Sequence, residues 1–188
     1  MGLPLRLGAP EPPRRRRLAG ERRRRRLRPT HDPNASREVD DMDRLEDRWE
    51  IADLVSAYAE GVDDGRSADV AALFAEDCVF RAYRGERGTA EGRPAVEALL
   101  QKLLGTFEAT SHHVSNTRVT FSGEDRADVV TALHAWHRFP SERPDGILWG
   151  RYRDTVVREG GAWRFAVREL RVAGEQDFPF GWISTREP

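Results

Sequence analysis

Asp63 stands in an awkward place for an acid. It belongs to the run Tyr58-Ala-Glu-Gly-Val-Asp-Asp-Gly65, which closes the first long helical segment. Before it, Leu45, Trp49, Ile51, Ala52, Val55, Tyr58, Ala59 and Val62 recur at spacings of three and four, the mark of an amphipathic helix. Asp63 follows Ala59 by four residues, so it lies at the edge of that stripe and near the helix C-terminus. That end carries partial negative charge, and an acid there costs about 0.3–1 kcal/mol. Asp63 therefore needs solvent, a partner or a task. One reading is a solvated turn, with Asp64-Gly65 as the cap and Arg66 as counter-charge. The other is an acid at the mouth of a pocket that meets a histidine. An imidazole held by a carboxylate is a competent base near neutral pH, because the acid fixes the tautomer and stabilises the imidazolium. The segment beyond residue 42 offers four histidines: His112, His113, His134 and His137.

The spacing of these histidines argues against a metal centre. His112 and His113 are adjacent, and His134-x-x-His137 is separated by three. On strands, both spacings put the rings on opposite faces, which two ligands of one metal cannot use. No Gly-rich phosphate loop and no Ser-His-Asp order is present. The single cysteine, Cys78, permits no intrachain disulfide and reads as a small core residue.

Helices must position these groups first, then strands. The first helix is expected from about Asp43 to Val62, and a short second one over Ala68 to Ala75 with Ser67 as N-cap. A strand follows from Cys78 to Tyr83, then a glycine-rich return over Gly85 to Gly92. A third helix starts near Pro94 and carries Val96, Leu99, Leu100, Leu103 and Leu104. After Thr110 the period drops from 3.6 to 2. Strands are expected over His112–Phe121, Asp128–Phe139, Leu148–Arg158 and Ala162–Val172, the last two joined by Gly160-Gly161. The order argues an α+β fold with helices on one face of a curved sheet. On the second long strand, Val129, Thr131, Leu133, Ala135, His137 and Phe139 share one side; Val130, Ala132, His134, Trp136 and Arg138 share the other. Both sides carry apolar groups, so a homo-oligomer is expected, the second face meeting another subunit.

Charge is uneven along the 188 residues. Residues 1–41 hold 12 basic and 6 acidic side chains; residues 42–188 hold 19 and 26, a net of minus seven. The leader has arginine blocks at 14–17 and 22–26 among prolines, and disorder is expected there. Met42, directly before the first helix, suggests that the native chain starts there and the leader is translated upstream sequence; a nucleic-acid or nuclear-targeting arm is the alternative. Lys102 is the only lysine, a bias typical of high-GC bacteria. The acidic domain argues against nucleic-acid binding except through that leader. No secretory h-region and no stretch of the ~20 apolar residues a membrane span needs is present, so a cytoplasmic protein is expected.

Three stretches resemble the SnoaL-like branch of the nuclear transport factor 2 (NTF2-like) superfamily across residues 43–175. They are Tyr58-x4-Asp63 with Leu73-Phe-Ala-Glu-Asp77, Thr110-Ser-His-His-Val-Ser-Asn116, and Arg158-Glu-Gly-Gly-Ala-Trp-Arg-Phe165 with Arg168 beyond. The resemblance implies an α+β cone: a strongly curved, mostly antiparallel sheet wrapped on three N-terminal helices around a pocket, with residues 176–188 left as a tail. Scytalone dehydratase, bile-acid 7α-dehydratase and lindane dehydrochlorinase are similar members that eliminate a leaving group from cyclic substrates without a cofactor. In them an Asp at the first helix end and a His opening a strand form a dyad, which the match carries onto Asp63 and His112. It carries further roles onto Tyr58, His134 and Arg168. His112 would take a proton from carbon. Tyr58 or His134 would donate to developing negative charge or to the departing hydroxyl, and Arg168 would orient an anionic group or polarise a carbonyl. Core or interface placement is the alternative for Tyr58 and His134, and a surface ion pair for Arg168. The implied function is a cofactor-free, dehydratase-type lyase acting on a small hydrophobic, cyclic or polyketide-like substrate, in a dimer or trimer. An isomerase or cyclase with the same base, and a non-catalytic binding or scaffold module, are the alternatives.

Overall fold

A computed structural model describes residues 44–187, and the readings of the leader and of Met42 lie outside the described residues. Helix α1 spans Leu45–Asp63 and α2 spans Ser67–Ala72. Strand β1 (Phe74–Arg81), a 3-10 turn (Glu86–Gly88) and β2 (Thr89–Glu91) follow, then α3 (Arg93–Leu104). Four long strands come next: β3 (Ala109–Phe121), β4 (Arg126–Arg138), β5 (Gly146–Glu159) and β6 (Ala162–Gln176). A two-residue β7 (Ile183–Ser184) ends the list of elements.

Helix α1 turns Ile51, Leu54, Val55, Tyr58, Ala59 and Val62 inward. Leu45 and Trp49, counted in the same stripe from sequence, are instead exposed, Trp49 by 71%. The reason is angular. Trp49 lies four residues before Asp53 and seven before Ser56, on the polar side of the helix. Gly61 lets α2 approach α1, since a Cβ there would sit 2.5 Å from Val70 Cγ2. Helix α2 ends at Ala72, before the expected Ala75, because Phe74 already begins the strand that pairs with β6 at Phe165.

The sheet order is β2-β1-β6-β5-β4-β3, with β7 beside β6. This corrects the expected cone. The sheet is open, neither closed nor strongly curled, with β2 and β3 as its two ends. It is mixed: β1 and β7 both run parallel to β6, while the other pairs are antiparallel. Nor are all three helices N-terminal to it, because α3 follows β1 and β2. The early strand expected over Cys78–Tyr83 is present as β1, but reading the helices as gathered before a sheet gave it no place beside β6, where it runs parallel. One face of the long strands packs on the helices and holds the core; on β4 this is Ala127, Val129, Thr131, Leu133, Ala135 and His137. Among the described residues no helix is long and apolar enough to cross a membrane.

Candidate active site

Strand β3 is an edge strand, so it has free backbone donors on one side. Asp63, at the last position of α1, lies against them. Its Oδ2 accepts the backbone N–H of His112 (2.8 Å), and its Oδ1 accepts the Thr110 hydroxyl (2.8 Å) and His112 Nδ1 (2.7 Å). These donors resolve the awkward placement at the helix C-terminus. Burial opposes ionisation of Asp63, but the hydrogen bonds from His112 and Thr110 outweigh it and hold the carboxyl below its usual range. Arg66 is not its counter-charge; it pairs with Asp64 and Asp69. A carboxylate only accepts, so the His112 proton sits on Nδ1 and Nε2 is left bare. The His112 side chain is 8% exposed and lines an internal cavity of about 70 Å³.

The register of β3 and β4 decides which other histidine joins. His112 pairs with Ala135, His113 with His134, and Thr110 with His137. Residues paired across strands share a face. His137 therefore points inward with His112, its ring 5.2 Å away and edge-on at 83°. His134 points outward, exposed, stacked between His113 and Trp149. Pocket membership for His134 is thus corrected: it belongs to the other face, and His137 takes the inner place. The period of two had already set His137 beside Leu133 and Ala135, so the signal was present. Burial among Phe107 and Phe178, followed by the neighbouring His112, drives the His137 imidazole down to about 3, keeping it neutral. Its Nδ1 is buried without a partner.

Tyr58 lines the cavity from α1 and is buried, its phenol pushed up to about 12 by desolvation. It stays protonated and able to donate. Arg168 is neither on the surface nor among the cavity-lining residues. It is wholly buried, with its guanidinium carbon 3.8 Å from the Tyr58 ring centre and 3.7 Å from that of Tyr152. Asp154, its cross-strand partner, lies 3.7 Å away, and burial pushes that carboxyl up to about 7 against the pull of Arg168.

Sequence reasoning missed the far wall. Phe178, Phe180 and Trp182, at alternate positions in the expected tail, line the cavity together with Tyr58 and Val62 of α1. Phe178 is 2% exposed and packs on His137, Phe139 and Trp182. Arg84 ties the segment down through the Trp182 carbonyl and the Glu187 carboxylate. The alternation of three aromatic residues was the legible clue. Among the described residues no group of three or more His, Cys, Asp or Glu is placed to hold a metal.

The SnoaL-like domain model matches residues 43–169. The chain belongs to the SnoaL-like domain family. This SnoaL-like chain is 36% identical to a candidate scytalone dehydratase of Novosphingobium aromaticivorans, whose crystal structure superposes with a TM-score of 0.71 over 77% of this chain and 96% of that one. A hexachlorocyclohexane dehydrochlorinase of Novosphingobium barchaimii shares the fold at a TM-score of 0.66, with 21% identity over 79% of this chain and 99% of that one. An uncharacterized protein of Mycobacterium tuberculosis is 27% identical over 125 residues, 66% of this chain and 84% of its own length. The SnoaL-like fold here is thus one that dehydratase-type lyases use.

Proposed function

We propose that this SnoaL-like protein is a cofactor-free lyase that removes water from a small, largely apolar ring or polyketide-like substrate. The observation carrying this reading is the 2.7 Å contact between Asp63 Oδ1 and His112 Nδ1 at the wall of an apolar cavity. His112 Nε2 takes the proton from a carbon beside a carbonyl, and Asp63 stabilises the imidazolium that results. The carbonyl oxygen becomes an enolate, which the Tyr58 phenol meets with a hydrogen bond. The enolate then expels the β-hydroxyl, and the His112 proton leaves with it as water. Neutral His137, with a buried unpartnered Nδ1 and its ring 5.2 Å from that of His112, lines the same cavity and orients that hydroxyl. Arg168 acts from behind, steadying Tyr58 and Tyr152 rather than touching substrate.

The cavity of about 70 Å³ is smaller than the ~300–1,000 Å³ of ligand sites. A substrate enters only if the segment holding Phe178, Phe180 and Trp182 moves outward. That small volume is the observation favouring the second reading, a non-catalytic module whose interior is filled by its own side chains. The two separate by experiment. The protein is incubated with a panel of cyclic β-hydroxy ketones, and enone absorbance and loss of the mass of water are followed. Turnover that Asp63→Asn and His112→Ala both abolish, with melting curves nearly unchanged, supports the lyase. Mass-neutral products indicate an isomerase; no turnover with any member of the panel favours the module. We take the protein to be a cytoplasmic homo-oligomer.

A further inference from the structure

Next to the internal cavity lies an open surface groove of about 520 Å³, lined by Tyr83, Arg84, Glu86, Arg87 and Phe180. Tyr83 and Phe180 belong to both linings, so these two side chains stand between the cavity and solvent. Each is partly exposed, whereas Phe178 beside them is 2% exposed. Their rings meet edge to face, with centres 5.6 Å apart at 81°.

The two rings are held differently. Tyr83 is a fixed post. Its hydroxyl donates to the Arg87 carbonyl at 2.8 Å, and its ring lies so close to Gly88 that a Cβ there would come within 2.7 Å of it. Phe180 has no hydrogen-bonding side chain, but the chain on either side of it is tied. Phe178 is buried in the aromatic cluster, and Arg84 donates its backbone N–H to the Gly181 carbonyl (3.1 Å) and its Nε to the Trp182 carbonyl (3.0 Å). Turning the Phe180 side chain therefore breaks apolar ring contacts with Tyr83, Phe178 and Trp182 and leaves those ties in place.

We propose that this groove is the entry site of the cavity, and that Phe180, turning against the fixed Tyr83 ring, selects which ligands pass. The opening left by one turned ring is one ring thick, roughly 3.5–4 Å. It admits flat, unsaturated or aromatic rings and rejects cage-like molecules of similar carbon number. A ring contact that must open before entry slows association and dissociation together and leaves affinity nearly unchanged. The inference rests on the reading of the cavity as a ligand site, and not on the chemistry of Asp63 and His112.

Stopped-flow fluorescence on the full chain tests it, with 7-hydroxycoumarin as the flat probe and 1-adamantanol as the cage, the latter read by the coumarin signal it suppresses. Wild type should take up the coumarin and exclude adamantanol over the same interval. Phe180→Ala should raise the association and dissociation rates of the coumarin by about tenfold each, keep Kd within about threefold, and admit adamantanol. Phe180→Leu retains most of the apolar contact; it should show a smaller gain of the same kind and covers an alanine variant that folds poorly. Unchanged rates in both Phe180 variants overturn the proposal. So does a change in Kd without a change in rates, since Phe180 would then be wall and not door. A wild type that takes up adamantanol as fast as the coumarin, or uptake of neither probe by any of the three proteins, overturns it too. Because binding and not turnover is read, a protein that sorts the probes yet dehydrates nothing defeats the lyase reading alone.

Discussion

His137 offers a sharp thermodynamic test of the site's interior. Its folded-state pKa is about 3, against an ordinary 6.5, because protonation would put a buried charge against Phe107 and Phe178. The unfolded chain binds that proton more readily than the native one. Stability is therefore lost as pH falls through 6.5, and the loss stops near 3. One pKa unit is worth about 1.4 kcal/mol, so linkage removes about 2 kcal/mol between pH 7 and pH 5 from this group alone. His137→Phe removes the titration and places a ring of similar size in an aromatic slot. Urea unfolding of wild type and variant at both pH values gives the double difference, in which the other titrating groups largely cancel. The wild type should lose about 2 kcal/mol more than the variant on acidification. Equal losses would mean that His137 is solvated, and the inner-face assignment would fail with it.

Asp154 gives the opposite sign. Its folded pKa, about 7, lies above the ordinary 3.8, so the stability it contributes is full below about 4 and is lost as pH rises through about 7. Asp154→Asn should flatten that decline, and an unchanged slope in urea unfolding across pH 4 to 8 would show that Arg168 keeps the carboxylate ionised. Phe178→Ala should cost about 3–5 kcal/mol, since the ring is 2% exposed and packs in an aromatic cluster. A loss under 1 kcal/mol by chemical denaturation would place residues 177–182 outside the cooperative unit. Arg84→Ala should speed amide exchange over residues 178–187 relative to β4, because it removes the ties to the Trp182 carbonyl and Glu187. Equal exchange in the variant would show that other contacts hold the segment.

Period alone made much of this legible. The strands from β3 to β6 were readable because thirteen to fifteen residues of alternation leave little choice of face. Asp63 was readable from its cost at a helix end, and the match of motifs supplied His112. What failed needed tertiary information. Trp49 fits a three-four spacing but falls outside the buried arc, which only packing defines. His134 and His137 are distinguished by which strand face meets the helices. The open, mixed sheet depends on β1 returning beside β6, a pairing of residues about ninety apart that no local pattern encodes. Arg168 resembles the chain's many exposed arginines in sequence, and its burial between two tyrosines follows from β-strand register.

The proton abstraction proposed for the Asp63–His112 pair can be tested without knowing the natural leaving group. A cyclic ketone that fits the cavity, held in D₂O with the protein, exchanges its α-hydrogen for deuterium at a rate that NMR follows directly. Wild-type protein should catalyse that exchange, with Asp63→Asn and His112→Ala each slowing it by about 10²–10⁴-fold. Exchange at the same rate in all three proteins would contradict the account.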